Sequence, residues 1–240
     1  MEPGACEHQT MSKRFEELDW QQTPMGELTL RRRFDLVLGT DVFEAILNEE
    51  HLMSTHFTVA EIELAHLALA AVGGSDLDVL VGGLGLGYTA QAVLEHRNVR
   101  SLTVIEAIDV VADWHRRGLL PISAELTADS RLDIEVDDFF ARMRAVEAPR
   151  LFDAIIVDID HSPSHHLHPS HASFYTVEGL RAMRRHLAPG GAFALWSDDP
   201  PDDAFTAVLA TVFEHVQAEI IAFDNALTGG RSANSVYVAH

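Results

Sequence analysis

The stretch DVLVGGLGLGYTAQAV, residues 78–93, constrains this chain more than any other. An almost wholly apolar run meets a glycine-rich turn and then a helical period. A strand this apolar is buried on both faces, which requires helices above and below it and therefore a largely parallel sheet. The rest of the chain supplies the partners. LTVIE is followed by DVVADWHRR, LDIEV by DFFARMRAV, and FDAIIVDID by FYTVEGLRAMRRHL; AFALWS, DAFTAVLATVF, VQAEIIAFD and SVYVAH then close the sequence. Short β-rich runs alternating with helical ones spell βαβ units. The expectation is a doubly wound, mostly parallel, seven-stranded Rossmann-like α/β sheet. Its last two strands follow one another without a helix and so run antiparallel.

Ahead of this domain, ELTLRR, FDLVLG and VFEAIL, separated by Gly39, Thr40 and Asp41, read as a small antiparallel β-sheet. The helical period TVAEIELAHLALAAV begins at a Thr58 cap and stops at Gly73 and Gly74. The expected organisation is a flexible tail over 1–20, a small sheet over 21–57 and the Rossmann-like domain over 58–240. The first twenty residues hold no apolar core of a secretory signal, so a cytoplasmic location is expected. No apolar stretch approaches the roughly 18 residues of a membrane span. Cys6, the single cysteine, excludes an internal disulfide framework and a cysteine-based zinc site.

In a doubly wound sheet, ligands bind at the carboxyl ends of the strands, and here acids stand at several of them. Gly83, Gly85 and Gly87 follow the first strand, where they let the backbone approach a nucleotide or simply make a tight turn. Glu106 ends the second strand, about twenty residues on, where a carboxylate accepts hydrogen bonds from ribose hydroxyls; a helix cap is its bland alternative. Asp137 and Asp138 end the third strand: one suits an adenine amino group, and either suits the N-cap of the next helix. Asp158 and Asp160 end the fourth, at the place where an acceptor would meet the nucleotide. A carboxylate raised in pKa by apolar neighbours can take a proton from a cationic amine. With 37 acidic against 17 basic residues, a net charge of -20 repels nucleic acid and suits a small cationic substrate, although acidic surfaces also serve solubility.

The order of elements, the QTPMG segment, GGLGLGYTAQAVL, VIEAIDVV, VDDFF, and FDAIIVDIDHSP with LHPSHASFYTVEGL resemble the spermidine synthases, the polyamine aminopropyltransferases, from about Trp20 through the loop after the fourth strand. The resemblance implies the class I methyltransferase fold and transfer of an aminopropyl group from decarboxylated S-adenosylmethionine to a polyamine such as putrescine. It implies that Gly83, Gly85, Gly87 and Glu106 hold the adenosyl portion, that Asp137 contacts adenine, and that the catalytic base lies among Asp158, Asp160 and His161. It also implies a possible homodimer through the N-terminal sheet.

The chain departs from the family at three places. The family's loop carries an Asp, which grips the aminopropyl amine, where this chain has Gly85. Its fourth-strand motif spaces two Asp by two residues before a Pro, whereas here Asp158 and Asp160 precede His161, Ser162 and Pro163. The Tyr and Glu of its bridging helix are Ala60 and Ile62 here, with Glu61, Glu63 and His66 close by. These departures keep two alternatives open. One is methyl transfer from intact S-adenosylmethionine, since GLGLG also fits a GxGxG loop; the other is a catalytically inactive adenosyl-binding protein.

Residues 161–171 hold five histidines, His161, His165, His166, His168 and His171. Without a matching helical ligand spacing they read as a loop over the active site rather than a metal site, and no metal is expected. Trp114, Trp196, Phe174 and Tyr175 are candidates for aromatic pocket walls or for core.

Overall fold

The computed structural model describes residues 14–240, which form two compact units, one ending at His56 and the other starting at Phe57. Cys6 and most of the expected tail lie outside the described residues.

The first unit is an antiparallel meander of β1 (Phe15–Thr23), β2 (Gly26–Asp35), β3 (Thr40–Leu47) and β4 (Glu50–Ser54), paired in chain order. Leu28, Leu30 and Ala45 are buried on one face of this sheet and Val42 on the other. Strand β1 starts well inside the stretch expected to be a tail. Its sequence FEELDWQQT shows no apolar alternation because the strand is organised by charge: Glu16 and Glu17 stand opposite Arg32 and Arg31. Glu16 bridges Arg32 at 2.9 Å. Opposite charges facing each other across an antiparallel pair favour the register, a signal invisible until the partner strand is known.

The second unit opens with α1 (Val59–Ala70) and continues through β5 (Leu77–Gly82), α2 (Tyr88–Glu95), β6 (Val99–Glu106), α3 (Asp109–Arg116), α4 (Ser123–Ala128) and β7 (Leu132–Val136). It then crosses the sheet through α5 (Phe139–Arg144) to β8 (Phe152–Val157), α6 (Val177–Arg184), β9 (Leu187–Ser197), α7 (Asp203–Ala210), β10 (Val216–Asn225) and β11 (Gly230–Ala239). The seven-stranded order is β10-β11-β9-β8-β5-β6-β7, with β11 antiparallel to both neighbours and the rest of the sheet parallel. The short helix α4 was not legible in the sequence, because six residues carry too little periodicity.

Alternation along the strands divides the core. Leu80, Ile105, Ile155, Val157, Phe193 and Leu195 join Phe139, Met143, Leu180 and Phe205 in one apolar cluster. Their neighbours Val79, Val81, Val104, Ala154 and Ile156 are equally buried on the opposite face. Helix α1, with Leu64, Ala65 and Ala68 buried, packs on that side against α2 and β9. The chain winds outward from β5 to β7 and then restarts at β8, so strand order reverses between β5 and β8. A reversal of this kind opens a crevice at the strand carboxyl ends.

Candidate active site

The glycine loop sits at that reversal. Gly83 has φ +90°, and a Cβ there would lie 2.1 Å from the carbonyl oxygen of Asp158, so only glycine lets β5 and β8 approach so closely. Gly87, at φ 94°, opens α2. Gly85 lies between them, also at positive φ.

Glu106 is buried at the end of β6 and straps the loop. One carboxylate oxygen accepts from Leu84 N–H and the other from Ile108 N–H, each at 2.9 Å. Burial raises its pKa, and backbone N–H donors, those of Ile108 and Leu84 foremost, pull the other way. The backbone N–H groups of Gly85 and Ala107 add to this cradle, so the carboxylate holds the loop through several amides at once.

The two acids after β7 have separate roles. Asp138 caps α5 by accepting from Ala141 N–H at 2.9 Å. Asp137 is exposed and bridged by Arg142 at 2.6 Å, which lowers its pKa. An exposed bridge of this kind is weak.

Asp158 and Asp160 diverge sharply although two residues apart. The Asp160 side chain is 0% exposed and fully engaged, accepting from Leu167 N–H at 2.7 Å, His171 Nδ1 at 2.8 Å and the Tyr175 hydroxyl at 2.8 Å. His171 stacks on Phe140 with ring centroids 4.0 Å apart, and His166 stacks on Tyr175 at 4.9 Å. The histidine loop is therefore cinched around Asp160, which faces its own loop rather than the crevice. His161 is half-buried, its carbonyl accepting from Asp198 N–H at 2.7 Å and its ring 5.0 Å from that of His165. No group of three or more metal-binding side chains occurs among the described residues.

Asp158 points back toward the glycine loop. Its Oδ2 accepts from the Thr89 hydroxyl at 2.7 Å, and the same hydroxyl lies 3.4 Å from the Glu61 carbonyl, bringing α1 into the site. Burial raises Asp158 to about 6, with the Thr89 bond opposing. Glu61 is pushed up to about 8, by burial first and the charge on Asp158 second. Neither carboxylate is paired with a cationic side chain among the described residues. At neutral pH the two therefore hold about one proton between them. Glu61 is the residue that motif reading missed; its only signal was an acid beside the altered helix positions Ala60 and Ile62.

This pair makes stability fall with pH. Both native pKa values exceed ordinary carboxylate values, so the folded state binds more protons than the unfolded chain between about pH 4 and 8, and stability declines across that window. Glu61→Gln should melt above the parent at pH 8.5 and close to it at pH 4.5, as read by calorimetric scans. A constant offset at both pH values would remove Glu61 from the pair.

Of the aromatic candidates, Trp114, Phe174 and Tyr175 are buried in the core, and Trp196 alone stays half-buried.

Residues 54–204 match the spermine/spermidine synthase domain. The chain belongs to the spermine/spermidine synthase family. Within that family's surroundings it is 31% identical over 132 residues to polyamine aminopropyltransferase 1 of Streptomyces coelicolor, covering 54% of this chain and 24% of that protein. It is 28% identical over 142 residues to putrescine N-methyltransferase 2 of Nicotiana attenuata, covering 59% of this chain and 36% of that one. The matched regions thus span about a quarter to a third of these two relatives' length. A spermidine synthase crystallised with the transition-state analogue AdoDATO superposes with a TM-score of 0.72 at 21% identity, over 93% of this chain and 73% of that one. That likeness supports the seven-stranded class I methyltransferase fold with its small antiparallel sheet.

Proposed function

We propose that this member of the spermine/spermidine synthase family transfers an aminopropyl group from decarboxylated S-adenosylmethionine to a small polyamine such as putrescine. The observation that carries the reading is the half-buried Glu61–Asp158 pair, without a cationic side-chain partner among the described residues, beside the glycine loop. Carboxylates withdrawn this far from water favour a proton or a cation, and an amine substrate brings both. The glycine loop and Glu106 fit the adenosyl group, since Gly83 keeps the crevice floor free of a side chain.

In the reaction, Asp158 takes a proton from the substrate ammonium and frees the nitrogen lone pair. The nitrogen attacks the carbon bonded to the sulfonium, the C–S bond breaks, and its electron pair neutralises sulfur to give methylthioadenosine. Glu61 shares the negative charge that draws the second ammonium. Alignment of the two substrates supplies most of the acceleration, on the order of 7–11 kcal/mol at best.

A second reading is methyl transfer from intact S-adenosylmethionine to the same class of acceptor. Gly85 favours it, because no carboxylate at that position grips an aminopropyl amine, and so does the likeness to a putrescine N-methyltransferase. The two readings share the acceptor and the sulfonium donor. No helix among the described residues is long and apolar enough to cross a membrane.

Side-by-side calorimetric titration with S-adenosylmethionine, its decarboxylated form and methylthioadenosine, followed by product analysis with putrescine, tests the proposal. Tighter binding of the decarboxylated form with spermidine as product is the expected result. Preference for the intact donor with N-methylputrescine overturns it in favour of methyl transfer. Binding of adenosyl ligands without turnover on any amine identifies an inactive binder.

A further inference from the structure

His115, on α3, is almost fully buried, yet neither the fold nor the proposed chemistry calls for a titratable group there. Its Nε2 lies 3.0 Å from the carbonyl oxygen of Gly85, the middle glycine of the loop. A carbonyl only accepts, so Nε2 carries the proton and Nδ1 keeps the lone pair. Ser123, fully buried at the start of α4, closes the chain. Its hydroxyl oxygen lies 3.3 Å from His115 Nδ1 and 3.3 Å from Leu120 N–H. The amide can only donate, so the hydroxyl accepts from Leu120 and donates to His115. Every polar atom in the relay thus has a single consistent role, running from Leu120 through Ser123 and His115 to Gly85.

The imidazole also underlies the loop's end, because a Cβ on Gly87 would lie 2.8 Å from His115 Cε1. Burial lowers the imidazole pKa and keeps the ring neutral. The loop is therefore held at two points by the β6–α3 segment, with Glu106 on the Leu84 amide and His115 on the Gly85 carbonyl.

We infer that His115, oriented by Ser123, is a positioning residue that fixes the pose of the Gly85–Gly87 backbone and so sets affinity for the adenosyl ligand. This rests on the reading of the loop as the adenosyl site. In a family whose loop carries an acid where this chain has Gly85, a backbone pin from below stabilises a turn that has lost its side chain.

The test uses methylthioadenosine as probe on the full chain. His115→Phe keeps an aromatic ring but removes the donor, and should weaken binding about tenfold, the weight of one buried hydrogen bond. His115→Gln, which can still donate from its amide, should recover most of that loss. Long-range 1H–15N spectra should show the His115 Nε2–H tautomer in the parent and mixed tautomers in Ser123→Ala, with affinity about threefold weaker.

Parent-like affinity in His115→Phe, or no recovery in His115→Gln, overturns the inference while leaving the adenosyl site intact. Should His115→Phe fail to fold, Ser123→Ala decides alone: an unchanged tautomer and affinity overturn the inference. A parent protein that binds no methylthioadenosine overturns the adenosyl reading, and this inference with it.

Discussion

Asp158→Asn is expected to lower turnover by about 10²–10⁴-fold, the usual weight of a positioned general base, while adenosyl affinity stays within a fewfold of the parent. The asparagine keeps the shape and can still accept from Thr89, but it cannot take a proton from an ammonium. Single-turnover kinetics with saturating donor separates the two effects. The pH profile is a second readout. In the parent, activity should rise with pH as the Glu61–Asp158 pair loses its shared proton, which the raised values near 6 and 8 place across neutrality. Glu61→Gln should move that rise to lower pH, because Asp158 then titrates without a neighbouring negative charge. If Asp158→Asn keeps full turnover and His161→Gln loses it, the base is the imidazole three residues beyond the Gly83–Asp158 contact, and the assignment moves to His161.

Asp160→Ala should destabilise the protein by about 3 kcal/mol, lowering the melting temperature by roughly 6–12 °C for a chain of this size. The substitution strips an acceptor from Leu167 N–H, His171 and Tyr175, all donating to a carboxylate with no exposed surface. Buried donors left without a partner carry the full desolvation penalty. Asp160→Asn should cost less, since its amide oxygen still accepts although its NH2 faces another donor. Thermal scans read the effect. A melting temperature unchanged in Asp160→Ala would mean that the loop is not organised by this residue. Loss of turnover at unchanged stability would return Asp160 to the catalytic candidates.

The contrast between these two aspartates marks where reading from sequence stops. Both stand at the end of FDAIIVDID, both are acidic, and periodicity treats them alike. Strand β8 ends at Val157, so neither follows strand alternation; the loop decides where each points. That decision depends on His171 and Tyr175, eleven and fifteen residues downstream, and no local signal reports it. Asp137 and Asp138 divide for a similar reason. The N-cap geometry of α5 takes Asp138, a role that the sequence offered to either residue.

Two elements show other blind spots. Strand β1 is held by acidic residues facing a run of arginines on β2, so its sequence alone reads as a solvated tail. Glu61 lies on a helix whose apolar residues gave the helix away but not its orientation. Only the packing of α1 against α2 brings that carboxylate to the Thr89 hydroxyl and Asp158.

The sequence by itself determined the sheet, its mostly parallel sense, the antiparallel closing pair and the glycine turn after β5, because each follows from local periodicity and from the few conformations that glycine permits. Tertiary structure alone decided which acids meet in the crevice, which are consumed in holding loops, and which carry raised proton affinity. Those properties come from burial and from neighbours distant in sequence, and the energy of a charge depends on what surrounds it rather than on the residues beside it in the chain.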